Sequence, residues 1–94
     1  MVVYKINQIS RALLSKGFRV TQADHTFYWF YWNGKKTYVR TKISHGKIEY
    51  DDRLLGYMSL QLHLEKKELE HLIECSLTEK EYTELLIKKK VIIP

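Results

Sequence analysis

An Asn-Gly pair beside a dense aromatic run constrains the fold of this chain more than any other feature. Asn33-Gly34 follows the run Phe-Tyr-Trp-Phe-Tyr-Trp and precedes an alternating polar and apolar stretch. The two central residues of a type I′ turn need positive φ angles, which Asn and Gly adopt most readily. The sequence therefore predicts an antiparallel hairpin with strands over 25–32 and 35–43.

The flanking patterns predict helices on both sides of this hairpin. Apolar residues at helical spacing predict a first helix that ends near Lys16, with Gly17 as its C-terminal cap and a strand over 18–21. A second helix is expected over 52–62, followed by two shorter helical patterns, the later of which opens with Thr78 and Glu81 at capping-box spacing. The tail 88–94 has no assignable structure. The expected fold is α+β, in the order α-β-β-β-α, with a three-stranded antiparallel sheet and one or two C-terminal helices.

Length and composition indicate one globular domain over 1–94. The chain has 94 residues, 45% of them hydrophobic and 29% charged, which suffices for one compact core. Its single cysteine, Cys75, allows no intramolecular disulfide, and the first residues lack the apolar core of a signal peptide. No apolar run approaches the about 20 residues of a membrane helix. We therefore expect a cytoplasmic protein with no membrane partner.

Charge is divided unevenly along the chain. Residues 1–47 carry nine Lys or Arg and one acid, whereas residues 48–94 carry seven basic and ten acidic residues. Clustered positive charge repels itself unless a polyanion offsets it, so the first half predicts a phosphate-binding face. The alternative is a solvated basic face that binds nothing.

The turn also predicts a hairpin register, and the register sorts side chains onto two faces. With Asn33-Gly34 at the turn centre, Phe30 faces Thr37 and Tyr28 faces Val39 on the core side. The opposite, outer side then holds four pairs: Tyr31 with Lys36, Trp29 with Tyr38, Phe27 with Arg40, and His25 with Lys42.

This mixture of rings and cations indicates a nucleic-acid surface. Bases would stack on Trp29, Tyr38 or Tyr31, while the phosphates are held by Lys36, Arg40 and Lys42. A strand that is apolar on both faces is also typical of a sheet covered on both sides. The C-terminal helices or a second subunit, as in a homodimer, would then pack there.

Several short motifs together resemble the HicA family of toxin ribonucleases, whose fold is similar to the double-stranded-RNA-binding domain. The motifs are Lys16-Gly17-Phe18, His25 at the second strand, Asn33-Gly34-Lys35-Lys36, Ser44-His45-Gly46 and the helix 54–62. The resemblance covers a core over about 5–64. It leaves residues 65–94 as a helical extension and tail.

The resemblance implies an endoribonuclease that cleaves mRNA and is held inactive by a HicB-like antitoxin. The catalytic histidine of the family follows a Gly-Ser pair, and the matching position is His25, which here follows Ala23-Asp24. Asp24 either orients the imidazole or is a turn residue before the strand.

The chemistry of a histidine beside cations fits the same activity. A neutral imidazole can take the proton of a ribose 2′-hydroxyl, so that the oxygen attacks the adjacent phosphate without a metal or other cofactor. Arg40 and Lys42 would stabilise the charge that develops on phosphorus. A histidine at this position is also compatible with a surface residue of a non-catalytic RNA-binding module, or of an interaction protein with an aromatic contact face.

Two other histidines are weaker candidates. His45 lies in a Gly-containing loop, where it is either the acid that protonates the leaving group or a hydrogen-bonded loop residue. His71 and Cys75 have the spacing of zinc ligands on a helix, but two ligands do not make a site, so no metal is expected.

Overall fold

The computed structural model describes residues 3–22, 25–43, 48–74 and 76–93. The nine elements of these ranges are β1 (Tyr4–Lys5), α1 (Ile6–Ser15), β2 (Phe18–Gln22), β3 (Thr26–Trp32), β4 (Lys35–Ile43), β5 (Glu49–Tyr50), α2 (Asp52–Gln61), α3 (Lys66–Ile73) and α4 (Glu79–Lys88). Strands β2, β3 and β4 form an antiparallel sheet in that order. The α+β class and its three-stranded antiparallel sheet are confirmed.

Local chemistry fixes the ends of these elements where the sequence predicts them. Gly17 has φ of 92° after α1, and Asn33 and Gly34 have φ of 53° and 75°, as a type I′ turn requires. The Asp51 side chain accepts a hydrogen bond from the Leu54 backbone N–H at 3.1 Å and so caps α2. A reciprocal capping box between residues 78 and 81 opens α4.

A two-stranded pairing of β1 with β5 was not predicted. Tyr4 lies opposite Tyr50 and Lys5 opposite Glu49. Strands of two residues carry no periodicity, so sequence patterns cannot reveal them. The Tyr4 hydroxyl donates a hydrogen bond to the Glu74 carboxylate, which ties this small sheet to the end of α3.

All four helices contribute to one core against the inner face of the three-stranded sheet. Phe30 and Val39 on that face are fully buried, and Tyr28 is nearly so. Tyr82 of α4 is also fully buried, with its ring centroid 5.8 Å from Phe18 and 5.1 Å from Phe30. The helices that follow residue 64 are therefore part of the same core as α1 and α2.

The hairpin register agrees with the prediction beside the turn and departs from it farther away. Tyr31 faces Lys36 as expected, but Trp29 faces Arg40 because Thr37, Tyr38 and Val39 all lie opposite Phe30. The Thr37 hydroxyl donates to the Phe30 carbonyl at 2.7 Å and accepts from the Val39 N–H at 3.2 Å, so it stabilises this bulge.

The predicted pairs farther from the turn are therefore wrong, although Trp29, Phe27 and Arg40 lie on the predicted side of the sheet. Phe27 faces Lys42 instead of Arg40, and Trp29 faces Arg40 instead of Tyr38. A shift of two residues changes the partner but keeps each side chain on its original side of the sheet.

The chain end packs onto the fold although its sequence has no regular pattern. Ile92 is buried, and the Lys89 Nζ donates to the His63 carbonyl at 2.8 Å. Within the described part of the chain, no helix is long and apolar enough to cross a membrane.

Candidate nucleic-acid interface

The outer face of the sheet collects aromatic and cationic side chains from three strands. We define the outer face as Arg19 of β2, Phe27, Trp29 and Tyr31 of β3, and Lys36, Arg40 and Lys42 of β4. Strand alternation places these residues on the side opposite Tyr28 and Phe30. The three rings are half-buried, and the four cations are exposed.

Cations lie over each of the three rings. The Lys36 Nζ is 3.8 Å from the Trp29 ring centroid, and the Arg19 guanidinium is 4.3 Å from that of Tyr31. The Arg40 guanidinium is 5.1 Å from both Trp29 and Phe27. The outer face therefore alternates π-surfaces with positive charge at distances typical of cation–π contacts.

The outer rings are separate from the hydrophobic core. Among the described residues, the core and the side chains packed against it include none of Phe27, Trp29 and Tyr31. The C-terminal helices pack on the inner face instead, where Tyr82 of α4 contacts Phe30. The alternative in which the C-terminal helices cover the aromatic face is therefore excluded for the described residues.

His25 lies at one end of the outer face, in the bend just before β3. It is exposed, and its ring meets Phe27 edge-on with centroids 6.3 Å apart. The predicted pairing of His25 with Lys42 is wrong, because Phe27 occupies that position of the ladder. His25 instead neighbours the cations through Phe27, which Arg40 contacts and Lys42 faces.

Tyr38 does not stack beside Trp29 as the register predicted. The bulge moves it out of the ladder, where its side chain is 65% exposed. Its ring meets His63 edge-on at a centroid distance of 6.0 Å. Tyr38 is therefore an available aromatic surface at the edge of β4, separate from the ring series of β3.

Three of the candidates from the sequence, Asp24, His45 and Cys75, lie outside the described residues. His71 is exposed on α3, in a groove between α3 and α4 that also includes Glu68 and Glu84. Within the described ranges, no three His, Cys, Asp or Glu side chains are placed to share a metal ion.

A groove of about 540 Å³ lies between β4 and the end of α2. Outer-face residues line one side of it and the end of α2 lines the other: Phe27, Arg40 and Lys42 face Leu60, Gln61 and His63. Leu60 is 74% exposed in this groove. The groove therefore joins the cations of the outer face to a second histidine.

His63 was missed by sequence reasoning. Its signal in the sequence is weak: a histidine directly after the last apolar residue of helix 52–62, where glycine is commonest. The sequence does not reveal that this helix end meets the edge of β4. Only the packing of α2 across the sheet brings the two together.

Acidic side chains of the helices are engaged with lysines away from the outer face. Glu68 accepts from the Lys89 Nζ at 2.9 Å, and Asp52 pairs with Lys66. Burial acts to raise the pKa of Glu68, but the Glu65 backbone N–H and Lys89 outweigh it, so the pKa is lowered. These acids are paired within the helical layer, and the cations of the outer face all come from the first half of the chain.

Comparison with known proteins does not identify a family for this chain. Comparisons of the chain with protein-family models, with curated proteins and with solved structures found no match. The support for a function therefore comes from the fold and the outer face.

Proposed function

We propose that this protein is a toxin-type endoribonuclease that binds single-stranded RNA on its outer face and cleaves it with His25 as the base. The observation that carries the proposal is the series of rings under cations on a sheet face that contributes nothing to the core. Phe27, Trp29 and Tyr31 are partly exposed and lie outside the core, which is typical of a surface that binds a ligand. RNA offers both flat bases for the rings and phosphates for the cations.

The cations that now lie on the rings do not prevent base stacking. A cation–π contact at an exposed site contributes about 0.5–1 kcal/mol, whereas stacking of a base on an aromatic side chain contributes about 1–3 kcal/mol. A base can therefore displace the Lys36 ammonium from Trp29 with a net gain. The displaced ammonium then lies beside the stacked nucleotide, where it can pair with its phosphate.

The exposed imidazole of His25 supplies the chemistry of the proposal. It accepts the proton of a ribose 2′-hydroxyl, and the 2′-oxygen forms a bond to the adjacent phosphorus while the bond from phosphorus to the 5′-oxygen breaks. The departing 5′-oxygen takes up one proton from an acid of the site or from water, so the products are a 2′,3′-cyclic phosphate and a 5′-hydroxyl end. Arg40 and Lys42, one on the neighbouring Phe27 ring and one opposite it, stabilise the charged phosphorane.

The resemblance to HicA toxins supports the biological part of the proposal, namely mRNA as substrate and a HicB-like antitoxin as inhibitor. Lys16-Gly17-Phe18 and Asn33-Gly34 carry that resemblance and also form the cap of α1 and the hairpin turn. An antitoxin that covers the outer face would block both the binding of RNA and the access of RNA to the His25 imidazole. We expect growth arrest when the chain is expressed alone, and relief when the neighbouring reading frame is expressed with it.

The direct test is cleavage of a single-stranded RNA in the presence of a chelator. We expect 2′,3′-cyclic phosphate ends from the parent chain and no cleavage by His25→Ala, which should retain its fold and its RNA affinity because position 25 is exposed. His71→Ala is the matched control, since His71 is exposed on a different surface. Cleavage by His25→Ala, or of a substrate with deoxyribose at the cut position, would exclude His25 as the base.

A second candidate function is RNA binding without cleavage. The observation that favours it is the group formed by Trp29, Lys36 and Arg40. This group does not include His25, so it could bind RNA without a catalytic base. Saturable binding of RNA by a parent chain that leaves the RNA intact would identify this module.

A further inference from the structure

The groove at the edge of β4 places a second histidine beside the cations of the outer face. His63 lines it together with Arg40 and Lys42. Phe27 lines the same groove, and its ring is the one that His25 contacts. A phosphate held by Arg40 and Lys42 would therefore lie beside the His63 imidazole, and His25 neighbours the same groove through the Phe27 ring.

His63 has the left-handed backbone conformation that most often belongs to glycine at a helix end. His63 has φ of 60°, directly after the Leu62 cap of α2, and its N–H donates to the Leu60 carbonyl at 3.3 Å. Glycine reaches this conformation without steric cost and is the commonest residue there. Helix termination does not itself require a histidine at position 63, since Lys90 has φ of 61° at the same position after α4.

Two contacts hold His63 in place. Its carbonyl accepts from Lys89 Nζ at 2.8 Å, and its ring packs edge-on against Tyr38. The residue is half-buried, so its ring has a defined position at the groove wall. A positioned imidazole beside a phosphate site is the arrangement that proton transfer requires.

We propose that His63 is the general acid that protonates the leaving 5′-oxygen in the proposed ribonuclease reaction. This inference rests on the proposed function and names the second catalytic residue of the same site. His25 takes the 2′-hydroxyl proton, the 2′-oxygen bonds to phosphorus, and the bond from phosphorus to the 5′-oxygen breaks. The His63 imidazolium gives its proton to that oxygen, so one proton enters at His25 and one leaves from His63.

The charged groups around His63 come from three elements. Arg40 and Lys42 face it from β4, and Lys89 reaches its carbonyl from the end of α4. Glu68 of α3 pairs with Lys89, and the Tyr38 ring lies against His63 from the bulge of β4. The cations that bind the phosphate also surround the proton donor, so the substrate phosphate partly offsets their charge when it binds.

The test uses two variants that the backbone at position 63 accepts. His63→Gly and His63→Asn both tolerate positive φ, so we expect a melting temperature no lower than that of the parent chain. Cleavage of RNA should fall about 10²–10⁴-fold, the usual contribution of a general acid, while RNA affinity changes little. The fall in rate toward alkaline pH, which reports the acid, should disappear. His71→Asn is the control and should retain the parent rate and pH profile.

A substrate with an activated leaving group separates proton donation from positioning. A nucleoside 3′-(4-nitrophenyl phosphate) releases nitrophenolate, which departs without a proton. The His63 variants should cleave it at close to the parent rate, whereas His25→Ala should remain inactive on it. Loss of activity on both substrates, or parent-like cleavage of RNA with both limbs of the pH profile, would overturn the assignment of His63. A parent chain that cleaves neither substrate would overturn the proposed function and this assignment together.

Discussion

The two faces of one three-stranded sheet differ in what surrounds their aromatic side chains. On the inner face Phe30 is fully buried against Phe18 and Tyr82, under the helical layer. On the outer face the preceding residue, Trp29, is half-buried and has Lys36 and Arg40 over its ring. Neighbouring residues of one strand thus have different roles. The inner face stabilises the fold, and the outer face is available to a ligand.

The largest effect should come from the inner face. Phe30→Ala removes a fully buried ring that touches two others, so we expect the free energy of unfolding to fall by about 3–5 kcal/mol. Urea denaturation followed by circular dichroism measures this loss. A loss below about 1 kcal/mol would mean that the inner face is not the core.

The matched change on the outer face should affect binding more than stability. Trp29→Ala should cost about 1 kcal/mol of stability or less, the usual value of a cross-strand pair, because the ring lies outside the core. It should weaken binding of single-stranded RNA by about 1–3 kcal/mol. Fluorescence anisotropy with a labelled oligonucleotide checks the affinity. A core-like loss of stability with unchanged affinity would show that another subunit or segment covers this face.

The cations of the outer face should determine how steeply RNA affinity falls as the salt concentration rises. Neutralising Lys36, Arg40 or Lys42 one at a time should reduce the slope of log affinity against log salt by about 0.7 for each phosphate that the variant no longer neutralises. Lys67→Gln, an exposed change on α3, is the control and should leave the slope unchanged. Equal slopes in all four variants would exclude these side chains as phosphate ligands.

The smallest effect on stability should come from the ion pair between Glu68 of α3 and Lys89. The pKa of Glu68 is lowered in the folded protein, so its stabilising contribution is present above the pKa of the unfolded chain, near 4, and is lost as pH falls through the folded value. Glu68→Gln should therefore lower the free energy of unfolding by about 0.2–1 kcal/mol at neutral pH. It should also reduce the loss of stability that the parent chain shows as the pH falls below about 4. Thermal melts between acid and neutral pH measure both. An unchanged acid limb would contradict the role of the Lys89 pair.

The sequence revealed the parts of the fold that depend on local chemistry. Positive φ at Asn33 and Gly34, the Asp51 cap and the capping box after Thr78 are each properties of a few neighbouring residues. The alternation of β3 and β4 also identified which side chains share a face. These features follow from strand pleating and turn geometry, which need no knowledge of tertiary packing.

The features that the sequence did not reveal depend on contacts between distant residues. The bulge opposite Phe30 moved Tyr38 out of the ladder and changed the partners of Trp29 and Phe27, because a Thr37 hydroxyl replaces a ladder bond. The burial of Tyr82 against the sheet, and the meeting of His63 with the edge of β4, likewise require the packed helices. A single sequence contains no pattern for either.

The most direct test of the outer face as the RNA site is a titration of ¹⁵N-labelled protein with a single-stranded RNA, in the His25→Ala background to prevent cleavage. The two tryptophans provide an internal comparison, since Trp29 lies on the outer face and Trp32 packs against the core. We predict that the indole N–H signal of Trp29 and the amides of β3 and β4 shift with RNA concentration, and that the amides of α3 and α4 do not. Shifts confined to α3 and α4, or no shift at Trp29 under saturating RNA, would contradict the account.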